Sequence, residues 1–326
     1  MTKLDELAEL LKKAPDEVFL QPHNVPDPDA IAASFGLQYL LKQRGIETVI
    51  VYENELEKAN ALKMLELFQI ELTPAREAST LGEEDWAVLV DVQKGNSNVT
   101  DLATDEVAVI DHHEFLGDGG CAFVDIRPEV GACSTIISQY FFENDIEVPR
   151  RVATALLYGI FMDTDDLTRG VSTLDMDMFY RLYGLSDISL ITELKGNQIS
   201  RDDLYDYAKA FSGVEVYGPA AFLYLDNCND SLLGAAGDIV ITIAGVDLVV
   251  AYSPRESGIK FSIRSITDTY KANEVVRYIL KDLGFGGGHD RMAGGFLLGQ
   301  KIAEDKSLHT FVRYRTISYL EKERDS

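Results

Sequence analysis

Four short runs in the first third of the chain set the strongest limit on its fold. "VFLQP" (Val18–Pro22), "TVIVY" (Thr48–Tyr52), "AVLVDV" (Ala87–Val92) and "VAVID" (Val107–Asp111) are rich in β-branched residues and almost free of polar alternation. A strand with one wet face alternates apolar and polar residues, whereas a strand covered on both faces does not. Helical patterns lie between the runs: Asp29 to Arg44, closed by Gly45 in the C′ position, and Leu56 to Phe68. Strand alternating with helix predicts an α/β fold, a doubly wound parallel sheet whose ligands collect beyond the carboxyl ends of its strands.

The rest of the chain has a different texture. A helical stretch, Val152 to Phe211, includes "STLDMDMF" with a capping-box start at Ser172 and Asp175. From Val214 onward "VEVYG", "AFLYLD", "DIVITIAGVDLVVAYS" and "IKFSIRS" read as hairpin-linked strands, followed by a helix around Asn273 to Leu283 and a charged tail that frays after Leu320. We therefore expect two domains, one over 1–190 and a smaller α/β one over 213–326, joined by a helical linker over 191–212.

Charge follows the same division. The chain carries a formal −24, yet residues 1–212 hold 17 Lys+Arg against 39 Asp+Glu and residues 213–326 hold 13 against 15. Most of the acid in the first part reads as a solvated surface, with a handful of its carboxylates as candidate metal ligands. So acidic a surface argues against long duplex DNA as a partner. The first fifteen residues form an amphipathic helix, not a cationic leader, and no run approaches the roughly 18 uncharged apolar residues of a membrane span. A cytoplasmic protein with no membrane partner is expected. Cys121, Cys133 and Cys228 are widely spaced and lack a C-x-x-C pattern, so they read as small core or near-site residues.

Four of the five histidines sit in short acidic or glycine-rich motifs. "HNVPDPDA" follows the first strand and offers His23, Asp27 and Asp29 as H-x3-D-x-D, with Pro26 and Pro28 stiffening the loop. Imidazole with hard carboxylate oxygens suits manganese or magnesium. The bland alternative is a polar loop in which Asp29 caps the next helix. Asp91 ends "AVLVD" and emerges beside His23. "VAVIDHH" ends in the same manner and delivers Asp111, His112 and His113, a buried histidine pair that would be costly without a metal or phosphate partner. Asp163 closes another apolar segment in "LYGIFMDTDD", where Asp165 and Asp166 are alternative ligands.

In the second part, "GFGGGHDRMAGG" reads as a glycine-rich loop. The backbone of Gly286, Gly287 and Gly288 and the side chain of His289 could meet an anion there, although a plain turn is the commoner reading. Arg264 and Ser265 end the strand "FSIRS" and could hold a phosphate, against the usual explanation of an exposed strand arginine. His309 fits no pattern and is assigned to packing.

Taken in order, "HNVPDPDA", Asp91, "DHH" at 111–113 and Asp163 resemble the four motifs of DHH phosphoesterases, and "GGGHDRMAGG" resembles the signature of the DHH-associated domain that follows in one branch of that family. The resemblance covers residues 18 to 300. The two-domain layout, with no sensory or membrane segment ahead of it, looks most like the stand-alone nanoRNase/pAp-phosphatase proteins. It implies that His23 and Asp27 hold one Mn2+ and that Asp29, His112 and Asp163 hold the other, with Asp91 joining both; Mg2+ or Co2+ are substitutes. It implies that Asp111 orients a histidine and that His113 faces the scissile phosphate, both catalytic. Arg264, Ser265, Gly286, Gly287, Gly288 and His289 would bind substrate. The implied reaction is in-line attack on phosphorus by water activated between two divalent cations about 3.5–4 Å apart. Short RNA or DNA oligonucleotides, dinucleotides or nucleotide bisphosphates would be hydrolysed, and a homodimer is the family-level expectation. "DVQKGNSN" departs from the Thr-containing stretch that commonly follows the second motif, leaving the neighbours of Asp91 open.

Three other readings compete. A cyclic-dinucleotide phosphodiesterase uses the same motifs. A manganese pyrophosphatase shares those of the first domain but, by resemblance, carries a different phosphate signature in its second. A non-catalytic nucleotide sensor would need a degraded centre, whereas every expected ligand is present.

Overall fold

The computed structural model describes residues 1–56, 59–96, 98–117, 119–196, 203–226, 228–299 and 307–324. The chain divides into two compact units, Met1–Gln198 and Ile199–Ser326. Of the stretch expected to be a linker, residues 197–202 lie outside the described residues.

The first unit opens with helix α1 (Lys3–Leu11), whose capping box pairs Thr2 with Asp5. Strand β1 (Val18–Pro22), helix α2 (Pro28–Gln43), strand β2 (Val49–Tyr52), helix α3 (Ala59–Phe68) and a two-residue β3 (Thr73–Pro74) follow. The chain then returns through β4 (Trp86–Val90), β5 (Asp105–Asp111) and β6 (Phe123–Ile126). Four helices close the unit: α4 (Cys133–Glu143), α5 (Arg150–Asp163), α6 (Thr173–Tyr183) and α7 (Ile188–Lys195). The sheet order is β3-β2-β1-β4-β5-β6, with all neighbours parallel. The unpatterned apolar runs are explained by burial: every residue of β1 is buried, as are Ala87 to Val90 of β4 and Glu106 to Asp111 of β5. Leu20 lies between Ile50 and Val88 in register, and Val90 beside Ile110. Each such side chain, fully buried, contributes about 1.5–3 kcal/mol.

Strand order reverses between β1 and β4, because the chain moves outward through β2 and β3 and then back across β1 to β4. That reversal opens a crevice at the carboxyl ends of β1 and β4. It is also where His23 and Asp91 leave their strands.

In the second unit the order is helix α8 (Asp203–Ser212), β7 (Glu215–Tyr217), β8 (Ala220–Tyr224), helix α9 (Asp230–Val240), β9 (Leu248–Arg255), β10 (Gly258–Ser265), helix α10 (Ala272–Leu280), β11 (Gly284–Gly288), β12 (Met292–Leu298) and helix α11 (Leu308–Arg324). Its sheet runs β11-β12-β10-β9-β8-β7. The structure corrects the hairpin expectation here. "DIV" within "DIVITIAGVDLVVAYS" is the end of α9, and β8 and β9 are parallel, joined by that helix as a crossover. The β-branched residues suggested a strand. The Asn229 side chain capping Leu232 N at 2.7 Å, with Leu233, Ala236 and Val240 buried at helical spacing, decides for helix. The tail also departs from expectation, since residues 321–324 continue α11.

The glycine-rich segment is a second correction. Gly284–Gly288 is not a loop but a strand, β11, antiparallel to β12. Its glycines and those of β12 let α10 settle directly on the sheet. A Cβ on Gly295 would collide with Leu280 Cδ1 and stand 2.7 Å from Val276 Cγ2, whereas one on Gly294 would meet only Phe261 O at 3.6 Å. Gly295→Ala is therefore expected to destabilise the protein by about 1–3 kcal/mol through overpacking. Gly294→Ala should change it by much less, and urea unfolding followed by circular dichroism compares the two.

Candidate metal centre

Four separate elements deliver acidic and imidazole side chains to the crevice. The loop after β1 carries His23 and then Asp27, which caps α2: its Oδ1 accepts from Asp29 N at 3.0 Å and Ala30 N at 3.2 Å, with Pro28 at the first helical position. Asp27, not Asp29, is thus the cap of its own helix. Asp29 is 1% exposed and turns to the N-terminus of α4, where Oδ2 accepts from Cys133 N at 2.7 Å and Oδ1 from Ser134 N at 3.0 Å. The partial positive charge of a helix N-terminus holds that carboxylate in place. The loop ahead of α4 is itself fixed by the buried Asp175 of α6, which accepts from Gly131 N, Thr135 Oγ1 and Ser172 N.

Asp91 leaves β4 in the left-handed region, φ +62°, while its N–H still donates to Ile110 O at 2.9 Å. An aspartate tolerates that conformation at a modest cost. The abrupt change of direction keeps its carboxylate, 3% exposed, in the crevice. From the end of β5, Asp111 receives three hydrogen bonds, from His112 N and His113 Nδ1 at 2.8 Å each and from Gln93 Nε2 at 2.6 Å. Asp163 is the last residue of α5.

These side chains converge. The Asp91 Oδ2 lies 3.8 Å from His23 Nε2, and Oδ1 lies 3.3 Å from His112 Nε2, which in turn is 3.0 Å from Asp163 Oδ2. His23, Asp27 and Asp91 offer three ligand atoms within 4.8 Å of one another; so do Asp29, His112 and Asp163, and so do Asp91, His112 and His113. All six residues expected to be ligands are therefore brought together, with His113 at the edge of the group. Asp165 and Asp166 belong to none of these groups: both are exposed in the turn after α5, and Asp166 pairs with Lys195.

The donor set fits a cation better than it fits itself. His112 Nδ1 faces the Val130 carbonyl at 3.2 Å, and since a carbonyl only accepts, Nδ1 carries the proton. Nε2 is then the ring atom left to face the two carboxylates. Despite the short distances, neither His112 Nε2 nor Asp91 Oδ1 has a partner in hydrogen-bonding geometry, and both are buried. Burial pushes the Asp91 and Asp29 carboxyls up, and for Asp29 the neighbouring Asp91 and Asp163 push further. Burial would lower the imidazole of His112, but Asp163 and Asp91 outweigh it and hold it well above its usual range. The Asp163 carboxyl is held low, as burial is overcome by His112. His113 is raised to about 9, its burial overcome by the bond to Asp111. Carboxylates and imidazoles crowded in this way, with no lysine or arginine paired to Asp29 or Asp91 among the described residues, suit a divalent cation with oxygen and imidazole ligands.

Two contributors were not read from the sequence. Gln93 is buried behind Asp111, inside a "QKGN" stretch whose polar letters carry no sign of burial. Gly159 faces Asp29 from α5: a Cβ there would collide with Ser134 Oγ and stand 2.8 Å from Asp29 Oδ1. An isolated glycine within "ALLYGIF" was the available signal.

The residues expected to bind substrate belong to the second unit. Arg264 is not an exposed strand arginine but is 8% exposed, with Nε on Asp238 Oδ1 at 2.5 Å and Nη1 on Ser262 Oγ at 2.9 Å. Ser265 Oγ engages Thr267. Gly286, Gly287 and Gly288 lie in β11, and His289 N donates to Met292 O at 2.8 Å in the turn to β12. His309 packs edge-on to Tyr224 and its Nδ1 lies 2.7 Å from Tyr252 Oη.

Residues 17–160 match the DHH family, N-terminal domain, and residues 218–306 match the DHHA1 domain. The chain belongs to the DHH family of phosphoesterases, in the form that carries a C-terminal DHHA1 domain. It is 27% identical over 91% of its length to the cyclic-di-AMP phosphodiesterase PdeA of Listeria monocytogenes, covering 47% of that protein. To a probable manganese-dependent inorganic pyrophosphatase of Streptococcus thermophilus it is 31% identical over 45% of its length, covering 48% of that protein. It thus spans about half the length of these two curated relatives. The fold is shared with an exopolyphosphatase-related protein of Bacteroides fragilis, with a TM-score of 0.78 and 19% identity over 98% of this chain and 96% of that one. No helix among the described residues is long and apolar enough to cross a membrane.

Two substitutions probe the centre directly. Asp91→Asn keeps a residue suited to φ +62° and removes only the charge; Mn2+ affinity by titration calorimetry is expected to fall more than about 100-fold. Gly159→Ala should weaken Mn2+ by about ten-fold or more by displacing Asp29, whereas Gly184→Ala, with open space at its Cβ, should leave it unchanged.

Proposed function

We propose that the protein is a Mn2+-dependent phosphoesterase of the nanoRNase/pAp-phosphatase kind, hydrolysing short oligonucleotides, dinucleotides or nucleotide bisphosphates. The observation that carries this reading is Asp91, whose Oδ2 faces His23, grouped with Asp27, and whose Oδ1 faces His112, grouped with Asp29 and Asp163. His23 and Asp27 would hold one ion and Asp29, His112 and Asp163 another, with Asp91 available to both; Mg2+ or Co2+ would substitute for Mn2+. Divalent cations in such a setting supply Lewis-acid polarisation of a phosphoryl group and activation of water for in-line attack.

The chain's own residues do the rest. Asp111 accepts from His113 Nδ1, fixing that ring so that Nε2 is the atom available to a phosphoryl oxygen or leaving group. Raised to about 9, His113 is a donor at neutral pH in the metal-free protein. Asp29 is held against α4 and Asp163 at the end of α5, so neither must reorganise to bind. The domain division near 190–213, a cytoplasmic location and a homodimer are parts of the same reading, as is phosphate binding by His289 and the backbone of Gly286–Gly288. A phosphate at Arg264 would have to displace Asp238. The acidic composition favours small substrates over long duplex DNA.

A cyclic-dinucleotide phosphodiesterase is the second reading, favoured by identity to the Listeria protein over 91% of this chain. The pyrophosphatase match covers 45% of the chain, and residues 218–306 carry a DHHA1 domain, so inorganic pyrophosphate ranks below both. Mn2+-loaded protein incubated with pAp, linear dinucleotides, cyclic dinucleotides and pyrophosphate is expected to release mononucleotides from the first two. Exclusive cleavage of the cyclic compound would transfer the assignment to the second reading, and binding without turnover would leave a nucleotide sensor.

A further inference from the structure

The segment after the histidine pair, "HEFLG", leaves two large apolar residues in solvent: Phe115 is 59% exposed and Leu116 61%. Single exposed apolar residues need no explanation. These two differ because their backbone is clamped from beneath. Gln93, 1% exposed, accepts the Leu116 N–H on Oε1 at 2.8 Å and donates from Nε2 to the Glu114 carbonyl at 3.0 Å. One buried amide thus holds the peptide groups on either side of Phe115, as a neighbouring strand would. The same Nε2 donates to Asp111, the residue that orients His113. With consecutive Cα atoms 3.8 Å apart, the Phe115 Cα lies within about 7.6 Å of that of His113. An aromatic ring is therefore exposed to water two residues along the chain from His113, on a segment that Gln93 ties to Asp111.

We propose that Phe115 is a stacking platform for the nucleobase that adjoins the scissile phosphate, with Leu116 flanking it. The inference rests on the phosphoester-hydrolase reading and narrows its substrate to a base-bearing one. Aromatic rings recognise bases through their faces with little sequence preference, so the platform suits short oligonucleotides of mixed sequence. A phosphate chain without a base, such as pyrophosphate or polyphosphate, gains nothing from it.

The test is calorimetric binding of the linear dinucleotide pApA and of inorganic phosphate to the full chain, alongside Mn2+ titration and pApA turnover. Phe115→Ala is expected to weaken pApA about ten-fold while Mn2+ and phosphate bind as before; Phe115→Trp should restore pApA and Phe115→Leu should not. The proposal is overturned if Phe115→Ala binds pApA normally, if phosphate and pApA weaken together, or if Phe115→Leu restores binding in full. Dinucleotide held through Phe115 but left uncut by the wild type would remove the hydrolase reading and keep this one. Turnover of pApA at an unaltered kcat/KM in Phe115→Ala would do the reverse.

Discussion

A carboxylate buried where two β-strands part company organises this protein. Asp91 is almost wholly removed from water, in a conformation few residues adopt, with a histidine near each of its oxygens and no proton donor in good geometry for one of them. Unpaired buried charge costs several kcal/mol. It persists here because the parallel sheet leaves no alternative: the β1–β4 reversal opens the crevice, and β5 supplies the histidines that face it. His112 faces that negative charge, while Asp29 and Asp163 add to it.

The supporting contacts work by removing freedom from the ligands in advance. Asp29 is pinned by the backbone of α4, α4 is pinned by Asp175, His112 has its tautomer set by the Val130 carbonyl, and Asp111 is satisfied by Gln93 and both histidines. Gly159 contributes by having no side chain. Ligand sets held this way lose little entropy on capturing an ion.

Much of this could be read from the letters alone, for a physical reason. Strands buried on both faces write themselves as uninterrupted apolar runs, and a polar residue at the end of such a run has only the sheet's edge to occupy; hence His23, Asp91 and Asp111–His113 were legible. α9 was not, because Ile239, Val240 and Ile241 suit a strand and only the cap at Asn229 and the burial of Leu233 and Ala236 overrule them. Nor was β11, since a run of glycines looks like a turn until a helix is found lying against it. Gln93 stayed hidden for a related reason. A buried amide is intelligible only once its partners, 18 to 23 residues away, are beside it.

The candidate ligand atoms come from a loop, the first turn of α2, two strand ends and the end of α5, from residue 23 to residue 163. An unfolded chain offers nothing comparable, so any ion taken up here binds the native state alone and its free energy adds to that of folding. Resistance to heat and to proteases in this half of the molecule is then set partly by the cell's supply of free divalent ions. Under metal starvation the fold would lose durability.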